Sequence, residues 1–145
     1  MLNCFDVADY FMALTCFEAG DLISNMKIQK LVYYAQGFHL AIHSKPLFTE
    51  NIEAWTYGPV CPELYHKYKK YDSNALPIPD SIDFSKYNAA TKDLLDEVYE
   101  VYGQYSAWKL MNLTHEEPPW RNTKQGEIIS HDAMETYFKT LVTEK

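Results

Sequence analysis

The chain has 145 residues, 47% hydrophobic, 15% aromatic and 23% charged, with a formal net charge of -7. That length fits one domain over 1–145, because two halves would each be too small to bury a sound core, and the apolar content excludes a disordered chain. The acidic balance argues against non-specific nucleic-acid binding, which needs a basic surface that releases counterions, and it suits a basic protein partner.

Cys4, Cys16 and Cys61 are odd in number and form no Cys-x-x-Cys pair, so neither a zinc knuckle nor a disulfide framework is expected. A reducing cytoplasm is the simplest compartment. The opening MLNCFDVADYF carries acids where a secretory leader carries basic residues, and no stretch approaches the ~20 apolar residues of a membrane span.

From Asp6, read as an N-cap, apolar residues recur at Val7, Tyr10, Phe11, Leu14 and Phe17 until Gly20, which predicts an amphipathic helix. Ser24 or Asn25 caps a second helix running from Met26 to about His43. Ile28, Leu31, Val32, Ala35, Phe38 and Ile42 form one side of it. Tyr33, Tyr34, Leu40 and Ala41 make the other sides apolar, and Lys27 and Lys30 are the only charged side chains between Met26 and Ser44, apart from histidine. A helix of that pattern is surrounded by protein, so it is the predicted centre of the domain.

Between Lys45 and Pro62 the period changes. Glu50-Asn51 separate two short apolar pieces, and Ile52, Ala54 and Thr56 alternate with Glu53, Trp55 and Tyr57, which predicts a small hairpin ended by Gly58-Pro59. Pro62 then opens a short helix, PELYHKYKKY, and residues 72–87, with Pro77 and Pro79, read as an extended connection. A helix follows over about Asn88–Tyr102, with Leu94, Leu95, Val98, Val101 and Tyr102 inward and Gly103 as the stop. Ser106 caps the next, through Ala107, Leu110, Met111 and Thr114, and Pro118-Pro119 end it; Ser130 starts the last, with Met134, Tyr137, Phe138 and Leu141 inward. The predicted fold is mainly α: a single compact domain of about five to six helices around a central helix, with a small two-stranded β-hairpin.

The stretch LTHEEPPW concentrates an imidazole and carboxylates. His115-Glu116 begins an H-E-x-x-H pattern, but Pro119 stands where the second histidine belongs. Glu116 and Glu117 are neighbours that point apart, so they do not flank one bond, and the stretch reads first as a helix end at which Trp120 folds back. His39 and His43 have the i, i+4 spacing of two metal ligands on one face. They motivate an alternative function, a metal-assisted hydrolase using His39, His43, His115 and Glu116, although a hydrogen-bonded histidine suits the pattern better. Cys61 has no local base, and reads as an inert thiol.

Lys27 and Lys30 oppose the macrodipole near the start of the central helix, so something acidic should face them. Glu18 and Asp21 could do so within the fold, or a ligand or partner could supply the acid. Two aromatic clusters, Trp55 with Tyr57 and Trp108 with Trp120, fit either a core or a protein interface. A DNA-binding reading has only the short Lys67, Lys69, Lys70 cluster behind it.

Three runs occur in order: Lys27-x-x-Lys30-Leu31 leading into Tyr34-Ala35-Gln36-Gly37, then Glu53-Ala54-Trp55-x-Tyr57-Gly58-Pro59-Val60, then Ser106-Ala107-Trp108 continuing to Leu113-Thr114-His115-Glu116. Together they resemble the SocA-like antitoxin family that carries the Panacea domain and is often phage-associated, over about Val7 to Trp120. Members of that family often have glycine where Pro118 stands here. The resemblance implies an antitoxin, not an enzyme, that neutralises a toxin usually encoded beside it by direct contact. In one branch the antitoxin is also an adaptor that delivers its toxin to the ClpXP protease. No cofactor, metal, nucleic acid or membrane is implied. The residues expected to meet the partner are Lys27, Lys30, Trp55, Tyr57, Trp108, His115, Glu116 and Trp120.

Overall fold

The computed structural model describes residues 1–15 and 23–142. Its first helix, α1 (Cys4–Leu14), starts earlier than Asp6: the Asn3 side chain accepts from the Asp6 backbone N–H, and the Asp6 carboxylate accepts from that of Asn3. Asp6 is therefore the third residue of a capping box rather than the cap, and Asn3 takes the cap. Phe17 and Gly20 lie outside the described residues.

The second helix, α2 (Asn25–His43), is capped by Ser24, whose side chain accepts from the Lys27 N–H. Buried residues occur all round it, including Ile28, Leu31, Val32, Tyr33, Tyr34, Ala35 and Leu40. The other elements are β1 (Glu53–Trp55), β2 (Gly58–Val60), α3 (Pro62–Tyr68), α4 (Ala89–Tyr102), α5 (Ala107–His115), the single turn α6 (Pro118–Arg121) and α7 (His131–Leu141). Helices α1, α3, α4, α5 and α7 and strand β2 all pack on α2. The expected central helix, helical class and hairpin are all present.

The hairpin's register differs from the sequence expectation. Glu53 faces Val60, Ala54 faces Pro59 and Trp55 faces Gly58, so Thr56-Tyr57 is the turn, and Gly58-Pro59 form the return strand instead of ending the element. Proline is tolerated there because Ala54 directs its own backbone groups elsewhere, its N–H to Glu127 O and its C=O to Gly126 N–H. Gly58 has φ 113, a conformation that other residues rarely adopt.

Two glutamines on α2 hold the loops that cross it. Gln29 accepts from the Cys61 N–H at 2.9 Å, and Gln36 accepts from the Leu47 N–H at 2.6 Å while donating to Phe48 O at 2.9 Å. Ile42, Val101 and Leu141, expected inward, are 53%, 42% and 39% exposed. Each stands in the last turn of its helix, where periodicity still marks a face but no packed neighbour continues. Pro118-Pro119 end α5 as expected and also open α6, with proline in its first turn where the missing N–H costs nothing.

Helix α7 reaches α2 through Phe138, whose ring lies over Gly37 and against Tyr33, Tyr34 and Phe38. A Cβ at Gly37 would overlap that ring. Alanine is the better helix former by roughly 0.5–1 kcal/mol, yet overpacking in a filled core costs about 1–3 kcal/mol. Gly37→Ala should therefore be net destabilising, read as a lower urea midpoint; an unchanged or raised midpoint would show that α7 is not seated as described.

Candidate functional site

The amine of Lys30 sets the site. The side chain rises from α2 in the second helical turn, and Gly58 lies so close that a Cβ there would stand 2.8 Å from Lys30 Cε and 2.9 Å from Thr114 Oγ1. With β2 and α5 thus laid over its stem, Lys30 is only 1% exposed. No hydrogen-bond acceptor or carboxylate among the described residues engages its Nζ, and burial lowers its pKa to about 7. The side chain lines a cavity of about 860 Å³, whose walls include Met26, Trp55, Tyr57, Val60 and Tyr65.

One turn further along α2, a buried carboxylate engages the helix. Glu117, 8% exposed, accepts from Tyr33 Oη at 3.0 Å and from Tyr34 Oη at 2.8 Å. Burial raises its pKa from an ordinary 4.5 to about 7, against the two tyrosine hydrogen bonds, which lower it. Burial, with Glu117 close by, keeps both tyrosine hydroxyls protonated and able to donate. The sequence reading gave Glu117 no role of its own. The available signal was Tyr33-Tyr34 on a helix with no exposed face, since two buried hydroxyls need an acceptor.

Lys27 lies near Lys30 in sequence but differs in kind: its Nζ donates to Gly103 O at 2.6 Å, tying the start of α2 to the turn between α4 and α5. Glu18 and Asp21, the acids expected opposite the two lysines, lie outside the described residues. Trp120 folds back as expected. Its Nε1 donates to Trp55 O at 2.8 Å, and its ring stacks on His115 with centroids 4.0 Å apart. His115 Nε2 is buried and has no partner among the described residues. Trp55 packs edge-on to Tyr65 and donates from Nε1 to Glu53 at 2.9 Å. Tyr57 is 59% and Trp108 67% exposed, and Glu116 is also at the surface, where it caps α5.

The structure therefore brings Lys30, Trp55 and Tyr57 to one cavity, with Trp108 directly after Ala107 at its wall. His39 and His43 stand with ring centroids 4.6 Å apart, but His39 Nδ1 is engaged by Lys45 O at 2.6 Å. Among the described residues, no three of histidine, cysteine, aspartate and glutamate come together in a metal-holding group. Cys4 and Cys61, distant in sequence, meet in the core as free thiols; the hydrogen bond between them, then burial, raises the pKa of Cys4. No helix among the described residues is long and apolar enough to cross a membrane.

Residues 28–121 match the family described as antitoxin SocA-like, Panacea domain. The chain belongs to this family. The matched region holds Lys30, the hairpin, α5 and Glu117, while the cavity is completed by Ser24, Asn25 and Met26 before it and by Gln125 and Gly126 after it. Over 43 residues the chain is also 46% identical to a protein named antitoxin SocA from Caulobacter vibrioides (strain NA1000 / CB15N). That stretch covers 30% of this chain and 23% of the relative, so the likeness spans under a quarter of the curated relative's length. No solved structure matches the chain.

The two displaced pKa values work on stability in opposite directions. Glu117 is ionised above about 4.5 when unfolded and above about 7 when folded, so stability from this group is full at low pH and is lost as pH rises through that window. Lys30, lowered from 10.5 to about 7, contributes stability at high pH that is lost as pH falls from 10.5 towards 7. The two contributions together are least favourable near neutrality. Urea denaturation at pH 4.5 and pH 7 should show Glu117→Gln gaining on the parent chain by on the order of 3 kcal/mol over that interval. Equal pH dependence in the two proteins would mean that Glu117 is not the buried acid described.

Proposed function

We propose that this Panacea protein neutralises a protein toxin, usually encoded beside it, by direct binding, and that residues 1–145 act as one Panacea-like domain in doing so. The observation that carries the reading is the pair of exposed aromatics, Tyr57 at the cavity wall and Trp108, which follows the wall residue Ala107, on a domain of an antitoxin family. Large aromatic side chains bury much area at small entropic loss and anchor most protein interfaces. The net charge of -7 favours a basic partner and speeds encounter with one.

The other expected contact residues divide by position. Lys30, Trp55 and Glu116 stand at the cavity or the surface and are proposed to meet the partner directly. Lys27, His115 and Trp120 are engaged inside the fold, and are proposed to hold the shape of that surface. Delivery of the bound toxin to ClpXP is the further step that the family resemblance suggests. No catalytic reaction is assigned to the chain, and the metal-assisted hydrolase reading has no converging ligand set behind it among the described residues.

Co-expression with the adjacent open reading frame tests the proposal. The antitoxin should restore growth and co-purify with that gene's product; an active toxin neither rescued nor bound would overturn the reading. Trp108→Ala and Tyr57→Ala should each weaken the complex at least tenfold, the loss typical of an interface anchor, while leaving the urea midpoint unchanged. Losses of stability that match the losses of binding would instead make both residues structural.

A further inference from the structure

A buried amine without a counter-charge is costly, because taking an ammonium out of water is repaid only by a well-placed anion and hydrogen bonds. Most buried polar groups of α2 have such partners: Lys27 has Gly103 O, Gln29 has the Cys61 N–H, Gln36 has Leu47 and Phe48, and Tyr33 and Tyr34 share Glu117. Lys30, only 1% exposed, has none among the described residues. A methionine or leucine would fill the same space without that cost.

The cavity that Lys30 lines is about 860 Å³, within the ~300–1,000 Å³ typical of sites that enclose small ligands. Most of its accessible lining is apolar or aromatic, from Met26, Trp55, Tyr57, Val60 and Tyr65, while Ser24, Asn25, Gln29, Thr56, Ser73 and Gln125 add uncharged polar groups that can fix a ligand's orientation. The other charged groups on the lining, Lys69 and Asp72, are both exposed, where water and salt screen them. An apolar body suits the walls, and one anionic group suits the base.

We propose that this cavity binds a carboxylate carried on an apolar or aromatic body, with Lys30 Nζ as its counter-ion. The carboxylate arrives either on a free small acid or on an acidic side chain of the bound partner. Only the second source rests on the toxin-binding reading.

Calorimetric titration of the full chain with indole-3-propionate, phenylacetate and octanoate, each beside its own primary amide, tests the free-acid source. At least one acid should bind tenfold or more tightly than its amide, and Lys30→Met should reduce that preference below twofold, whereas Lys69→Met should leave it. The acid–amide comparison in the unmodified chain needs no substitution, so poor folding of Lys30→Met would not spoil it. The partner source is tested in the co-purified complex, where Lys30→Met should weaken binding at least tenfold. The inference is overturned if no acid is preferred over its amide and Lys30→Met spares the complex or no complex forms. It is equally overturned if the preference persists in Lys30→Met or disappears in Lys69→Met. An acid preference without any complex would keep the inference and sink the toxin reading; a complex sensitive to Trp108→Ala but not to Lys30→Met, with no acid preference, would do the reverse.

Discussion

Burial of α2 on all sides is the constraint from which the remaining architecture follows. Enclosed by five other helices and a strand up to its last turn, the helix leaves most of its polar side chains little water, so these must find partners within the fold or remain unsatisfied. Its glutamines consequently fasten the loops, its tyrosines require a carboxylate, and Lys27 reaches a carbonyl at the end of α4. The chain around α2 is arranged as much by these polar demands as by apolar packing. Lys30 is the exception, and the cavity beside it is where that exception meets open space.

The helices were legible because their periodicity and caps agree. Ser24, Asn88, Ser106 and Ser130 each accept from a first-turn N–H as their positions in the sequence suggest. The hairpin register was not, because Gly58-Pro59 carries a strong local stop signal. Only the non-local bonds from Ala54 to residues 126 and 127 explain why proline can sit in a strand there. Glu117 escaped notice for a related reason: its neighbour Glu116 is exposed, and nothing adjacent in sequence separates a buried carboxylate from a solvated one. The contact between Cys4 and Cys61 likewise needed the fold, since α1 and the start of α3 meet only in three dimensions.

The site shows the same division. Motif order marks the family, and the motifs contain Lys30, Trp55, Tyr57 and Trp108. It could not distinguish Lys27 from Lys30, three residues apart on one helix. Burial and a single carbonyl separate them: one lysine is a structural tie, the other lines a cavity. The region matched to the Panacea domain contains most of this cavity's lining but neither α1 nor α7, which pack on α2 from outside it.

The bonds around the hairpin also limit how anything can attach to it. On its outer side β1 is already joined to the 126–129 segment, through Ala54 to Gly126 and Glu127 and through Ile52 to Ile129. On the far side of β2, Pro59 has no N–H to offer, Gly58 is pressed against Lys30 and Thr114, and the next N–H, that of Cys61, is taken by Gln29. Neither edge of the sheet is open to a further strand, so a partner cannot lengthen it by backbone pairing. At the hairpin, contact with another chain is left to side chains and their shapes.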